Sequence, residues 1–209
     1  MRQSTMTLKR AQSIAGSLGK PSKMPGYAYG ISADQCITGA KLAKVEGTPC
    51  FTCYAKKANY QYPSVRVAHA KRLEGLFNPE WVPAMIKQIS NTKTGFFRWF
   101  DSGDIQGLQN LINIVKVCEA LPNVKFWLPT QERKIVGDYL ATFGSFPDNL
   151  IVRVSASKVN GTVPNASHSS MVVTENAQAT CRAFENKNKC GDCRACWDKS
   201  IKTVSYLQH

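Results

Sequence analysis

Apolar residues fall into a clear period only in the second third of the chain. Over Pro63–Phe77, Val65, Ala68, Leu73, Leu76 and Phe77 form a helical stripe. Pro79 opens a second stripe over Pro79–Ile89, with Trp81, Val82, Met85, Ile86 and Ile89 on one side. An alternation of strands and helices follows. Gly95–Asp101 (GFFRWFD) predicts a strand, and Leu108–Leu121 a helix with Leu111, Ile112, Val115 and Cys118 three and four apart. Val124–Thr130 reads as a strand, Arg133–Phe143 as a helix, and Leu150–Ser155 and Met171–Thr174 as two further strands. Strands at such spacing, with helices between the first three, have the rhythm of βαβ units and a parallel sheet. The expected fold is therefore α/β, an incomplete parallel (βα) barrel of about four to six strands.

Upstream the pattern is weaker. Residues 1–24 read as a basic, partly ordered lead-in. Tyr27–Ile31 follows as a short strand after the punctuation of Pro25 and Gly26, and residues 37–63 as loop or short helical segments. Residues 25–178 would form the barrel, and residues 179–209 a cysteine-rich tail folded against it.

In parallel α/β folds, ligands bind at the carboxyl ends of the strands. Those ends carry Asp101-Ser102-Gly103-Asp104, Thr130-Gln131-Glu132-Arg133, Ser155-Ala156-Ser157 and Thr174-Glu175-Asn176. Loops are polar in any case, so the first cluster carries most of the functional reading. Asp104 and Glu132 are the candidates to orient a ligand.

No segment approaches the length of an apolar membrane span, and the first twenty-four residues lack the hydrophobic stretch of a signal peptide. A reducing cytoplasm is the expected location (the host's, for a phage-encoded chain), and there clustered cysteines are metal ligands more often than disulfides. The net charge of +13 attracts polyanions. Its lysines and arginines are dispersed, however, with no recognition-helix or aromatic–basic motif. A nucleic-acid or phosphate-bearing partner stays open beside a merely solvated basic surface.

Seven of the eight cysteines form two sets. Cys181-x8-Cys190-x2-Cys193-x2-Cys196 offers four thiolates, three of them around one small loop, as in ferredoxin-like iron–sulfur spacing. A [4Fe–4S] cluster is favoured there, with zinc as the alternative. Cys36-x13-Cys50-x2-Cys53 offers three thiolates, an incomplete shell that leaves a corner open to a small-molecule ligand. His69 reads as a helix-face residue rather than a fourth ligand, and Cys118 as a small buried hydrophobe.

The segments CITGA, CFTCYAKKANY, FRWFDSGD and PTQER, with the terminal cluster ending CW, together resemble the phage gene product 88-like proteins over residues 25–199. More distantly, the chain is similar to radical S-adenosylmethionine (SAM) enzymes. That similarity implies that Cys36, Cys50 and Cys53 hold a [4Fe–4S] cluster whose open iron takes SAM. It implies that Ser102, Gly103 and Asp104 match the motif that holds the SAM amino group, that Ser155 or Ser157 bonds ribose, and that the terminal set holds an auxiliary cluster. Those enzymes space their ligands Cys-x3-Cys-x2-Cys, whereas the first gap here is thirteen, and Thr52 stands where an aromatic usually precedes the last cysteine. The functional expectation is an iron–sulfur protein of radical-SAM-like architecture, a redox or radical enzyme. The alternative is a non-enzymatic, metal-stabilised module that binds nucleic acid or a host protein through its basic surface.

Overall fold

The computed structural model describes residues 6–208. Helix α1 (Leu8–Ala15) precedes a single sheet of β1 (Tyr27–Tyr29), β2 (Phe96–Trp99), β3 (Lys125–Thr130), β4 (Leu150–Ser155), β5 (Ser169–Val173) and β6 (Thr203–Leu207). Each strand pairs in parallel with the next in sequence. The sheet is open, with β1 and β6 at its edges, so it does not close into a barrel. Parallel neighbours require crossovers. α2 (Thr38–Leu42), α3 (Pro63–Leu76) and α4 (Trp81–Asn91) lie between β1 and β2, α5 (Leu108–Ala120) between β2 and β3, and α6 (Arg133–Phe143) between β3 and β4. The crossover from β4 to β5 has no helix, and that from β5 to β6 is the cysteine-rich segment, wound into three short 3-10 turns.

Strand alternation divides the sheet into two faces. Phe97, Trp99, Phe126, Leu128, Leu150, Val152 and Val154 meet Trp81, Met85, Ile89, Leu111 and Ile114 of the helices in one core. Arg98, Trp127 and Arg153, the intervening residues, point to the opposite face. The cysteine-rich segment covers that face. Trp197 packs edge-on against Phe96 and Trp127, with ring centroids 5.6 and 5.2 Å apart, and its indole N–H donates to the Phe97 carbonyl at 2.9 Å. Arg153, wholly buried, donates to the carbonyls of Ala195, Cys196, Asp198, Ser169 and Lys202 at 2.9–3.4 Å.

Two expectations change. Residues 1–5 of the expected loose lead-in lie outside the described residues, but α1 within it is ordered by packing. Thr7 caps α1 through its hydroxyl, which accepts from the Arg10 N–H, and Ala11 and Ala15 are fully buried. The tail, in turn, is no appendage: β6 pairs with β5 over five residues, so the cysteine-rich segment is a loop closed at both ends by the sheet.

Candidate functional site

The front cysteines lie beyond the carboxyl end of β1. Cys36 caps a 3-10 turn (Ala33–Gln35), and α2 follows. Gly39 of α2 keeps the site open. A methyl there would stand 2.9 Å from the Cys36 Cβ, 3.4 Å from its sulfur and 3.6 Å from the Cys50 sulfur. Cys50 and Cys53 are joined by a turn in which the Cys53 N–H donates to the Cys50 carbonyl.

Neighbouring strand ends hold this loop. Glu132, at the end of β3, accepts from the backbone N–H and the hydroxyl of Thr38, both at 2.7 Å. Tyr54 donates from its hydroxyl to the Asp101 carbonyl at 2.7 Å, and Tyr60 reaches the same carbonyl at 3.3 Å. Burial pushes the Cys36 thiol up to about 12, with the charges of Asp104, Cys50, Cys53 and Glu132 adding to it. The Cys50 thiol rises to about 11 from burial first, then from Cys53 and Asp104. Both are therefore protonated at neutral pH until a cation arrives to take the charge.

Asp104 is buried, and three protein donors use its oxygens: the Ile105 N–H at 2.8 Å, the Thr130 hydroxyl at 2.6 Å and the Gln131 N–H at 2.8 Å. Burial raises its carboxyl to about 7, against the lowering effect of those three bonds. Asp104 thus joins the loop after β2 to the end of β3, and Glu132 joins the end of β3 to the cysteine loop, with few lone pairs left for a ligand's ammonium group. This donor set does not fit the amino-binding role that the SAM resemblance implies. Ser102 is buried, and its hydroxyl has no partner among the described residues. Gly103 sits at φ +78°, where a Cβ would come within 2.3 Å of Ile31 Cγ1, so its conformation serves the turn. Ser155 pairs with Ser170, hydroxyl to hydroxyl at 3.0 Å, and Ser157 lies half-buried just past β4.

The rear cysteines share one cavity of about 460 Å³, lined by Cys181, Cys190, Cys193 and Cys196 with Trp197 and Val204. All eight cysteines are free thiols. Gly191, at φ +54°, turns the loop that carries the last three. Cys181 is tied to β6 by its N–H on the Ser205 carbonyl, and the Cys190 N–H donates to Lys23. Burial and the charges of Cys181 and Cys193 raise the Cys190 thiol. The Cys196 thiol rises to about 11, mainly through burial.

Among the described residues, no three or more His, Cys, Asp or Glu side chains stand close enough to hold a metal ion. The expected metal-binding tail, cluster or zinc, is therefore not a formed metal site in this structure, and neither is the front set. The four cysteines line one cavity, and the Cys196 sulfur lies 3.2 Å from the Tyr206 hydroxyl. His69 is buried in α3 and lines a separate cavity of about 240 Å³ with Asp34, Tyr60 and Arg66. Burial, then the nearby Arg72, lowers its pKa and keeps the ring neutral.

Sequence reasoning missed Arg98 and Arg153. The available signal was a single cation set among apolar residues in each strand, in FFRWF and LIVRVS.

Fold and site together define an α/β protein with an all-parallel six-stranded sheet and two groups of free thiols, one at a strand end and one across the sheet's second face. The chain belongs to the gene product 88 family, whose model matches residues 2–199. No curated protein and no solved structure matches it. No helix among the described residues is long and apolar enough to cross a membrane.

Proposed function

We propose that the protein binds iron–sulfur clusters through both cysteine sets, and that the front set leaves an iron open to a small molecule. One observation carries this reading: Cys181, Cys190, Cys193 and Cys196, all free thiols, line a single cavity of about 460 Å³. A cavity of that size, with four cysteines on its lining, has room for a multi-atom inorganic cluster, and three of them fall in ferredoxin-like spacing. Cys181, Cys190, Cys193 and Cys196 would hold one cluster, and Cys36, Cys50 and Cys53 the other. When bound, such a cluster supplies one-electron redox chemistry and a Lewis-acidic iron at any corner without a protein ligand.

The chain's own residues set the conditions for that chemistry. Burial keeps the Cys36, Cys50 and Cys196 thiols protonated, so loading them releases protons and becomes more favourable as pH rises. Glu132 fixes the start of α2 through Thr38, and Gly39 leaves space beside two sulfurs. Trp197 and Arg153 seat the rear loop on the sheet.

The test is the iron, sulfide and zinc content of protein purified anaerobically, repeated for Cys53→Ala and Cys193→Ala. The expected result is iron and sulfide in the parent and loss of about half the iron in each variant. Zinc in place of iron, or unchanged iron in both variants, would overturn the reading.

A further inference from the structure

Two arginines point from the sheet into the space under the cysteine-rich segment, and they are satisfied very differently. Arg153 has its donors taken up by five carbonyls. Arg98, on the neighbouring side of Trp127, makes one hydrogen bond, from Nη2 to the Tyr54 hydroxyl at 3.0 Å. None of the ion pairs among the described residues includes it. Its Nε is sealed from solvent without a partner, while Nη1 has no hydrogen bond and is not sealed. The guanidinium carbon stands over Trp127, 4.4 Å from the ring centroid, and the Trp127 indole N–H is likewise without a partner. Register places the two residues directly opposite on β2 and β3.

A guanidinium keeps its charge at any physiological pH, and withdrawing it from water without an anion is unfavourable by several kcal/mol. Arg72, buried like Arg153, avoids that state by donating to the Ser17 and Gly30 carbonyls. Arg98 makes no such bonds: it is half-buried, and the Asp101 carboxylate acts on its charge without an ion pair or hydrogen bond to it. The bond from Arg98 to Tyr54, the residue next to Cys53, ties it to the front set, and its charge is felt by Cys190 and Cys196 on the other side. It stands between the two cysteine sets with its Nη edge accessible.

We propose that Arg98, backed by Trp127, binds an oxyanion, the carboxylate or phosphate group of a small-molecule ligand held between the two cysteine sets. The planar fork of N–H donors suits either group, and stacking on the indole fixes its plane. Binding of the anion does not depend on what the thiols hold, so this inference can fail while the cluster reading survives.

The experiment titrates full-length, anaerobically purified protein with inorganic phosphate, with acetate and with chloride as the control. It follows the indole N–H resonance of Trp127, assigned with Trp127→Phe. The expected result is a saturable shift with phosphate or acetate but not chloride. The oxyanion that gives the tighter curve identifies the ligand group. Arg98→Gln should weaken binding by about tenfold or more, with iron content unchanged. Arg98→Lys keeps the charge but loses the fork, and should fold normally while binding more weakly than the parent. The exposed Arg66→Gln should bind as the parent does. Absence of a saturable shift with both oxyanions, or parent-like binding by a folded Arg98→Gln or Arg98→Lys, would sink the proposal.

Discussion

Arg153→Met tests how the cysteine-rich segment is held. The substitution keeps most of the side chain's bulk and removes every donor. Five carbonyl oxygens lose their partner, three of them at 2.9–3.2 Å and two at 3.3–3.4 Å. A hydrogen bond to a charged group contributes about 1.5–3 kcal/mol, so the three shorter ones alone bound the loss at about 5–9 kcal/mol. Relief of the guanidinium's own desolvation offsets part of this, which leaves a net destabilisation of about 3–5 kcal/mol. Against a typical domain stability of about 5–15 kcal/mol, that is a large change. Urea denaturation should show a lower midpoint with little change in slope. Limited proteolysis should cut first between Cys181 and Lys199, because three of the orphaned carbonyls belong to Ala195, Cys196 and Asp198. A loss below about 1 kcal/mol, with that segment still protected, would mean that water replaces the guanidinium readily and that the clamp contributes little.

Asp104 supplies a pH test. Burial raises its carboxyl to about 7, whereas the unfolded chain releases the same proton near 3.9. Between about pH 4 and 7 the native state holds a proton that the unfolded state has lost, so this residue's contribution falls as pH rises and is flat above the window. The difference in stability between the parent and Asp104→Asn should therefore change by up to about 4 kcal/mol across the window, measured by urea midpoints; a constant difference would show that the carboxylate is ionised throughout. Gly30→Ala places a methyl 2.3 Å from Asp101 Oδ1 and 2.9 and 3.0 Å from the Ser102 backbone oxygen and nitrogen. It should destabilise the fold by about 1–3 kcal/mol, and an unchanged melting temperature would show that the Asp101 loop yields without strain.

The βαβ portion was legible because its elements are long and their apolar periods unmixed. Leu150–Ser155 and Arg133–Phe143 have the same limits in sequence and structure. α1 was not legible because its apolar side, Leu8, Ala11, Ile14 and Ala15, spans only eight residues within a basic stretch and is half alanine. β6 escaped for a related reason: Ser205 lies between Val204 and Tyr206, and five residues after a cysteine cluster read as tail. For the candidate site, the grouping of the cysteines was visible from spacing, but the use of Asp104 was not. Nothing near Asp104 in sequence indicates that Thr130 and the Gln131 amide, twenty-six and twenty-seven residues on, will take up its oxygens. Arg98 and Arg153 look alike in a strand pattern, and only tertiary structure shows that one meets five carbonyls and the other a single hydroxyl.

The edge-on contact between Trp197 and Trp127, 5.2 Å between centroids at an interplanar angle of 75°, gives the molecule an internal gauge. Two indoles locked in so asymmetric an arrangement generate near-ultraviolet circular dichroism, a signal that vanishes when fixed tertiary packing is lost. One of the pair belongs to the cysteine-bearing crossover and the other to a central strand. Undocking of that crossover can thus be followed optically, without a label, even while far-ultraviolet spectra still register the helices.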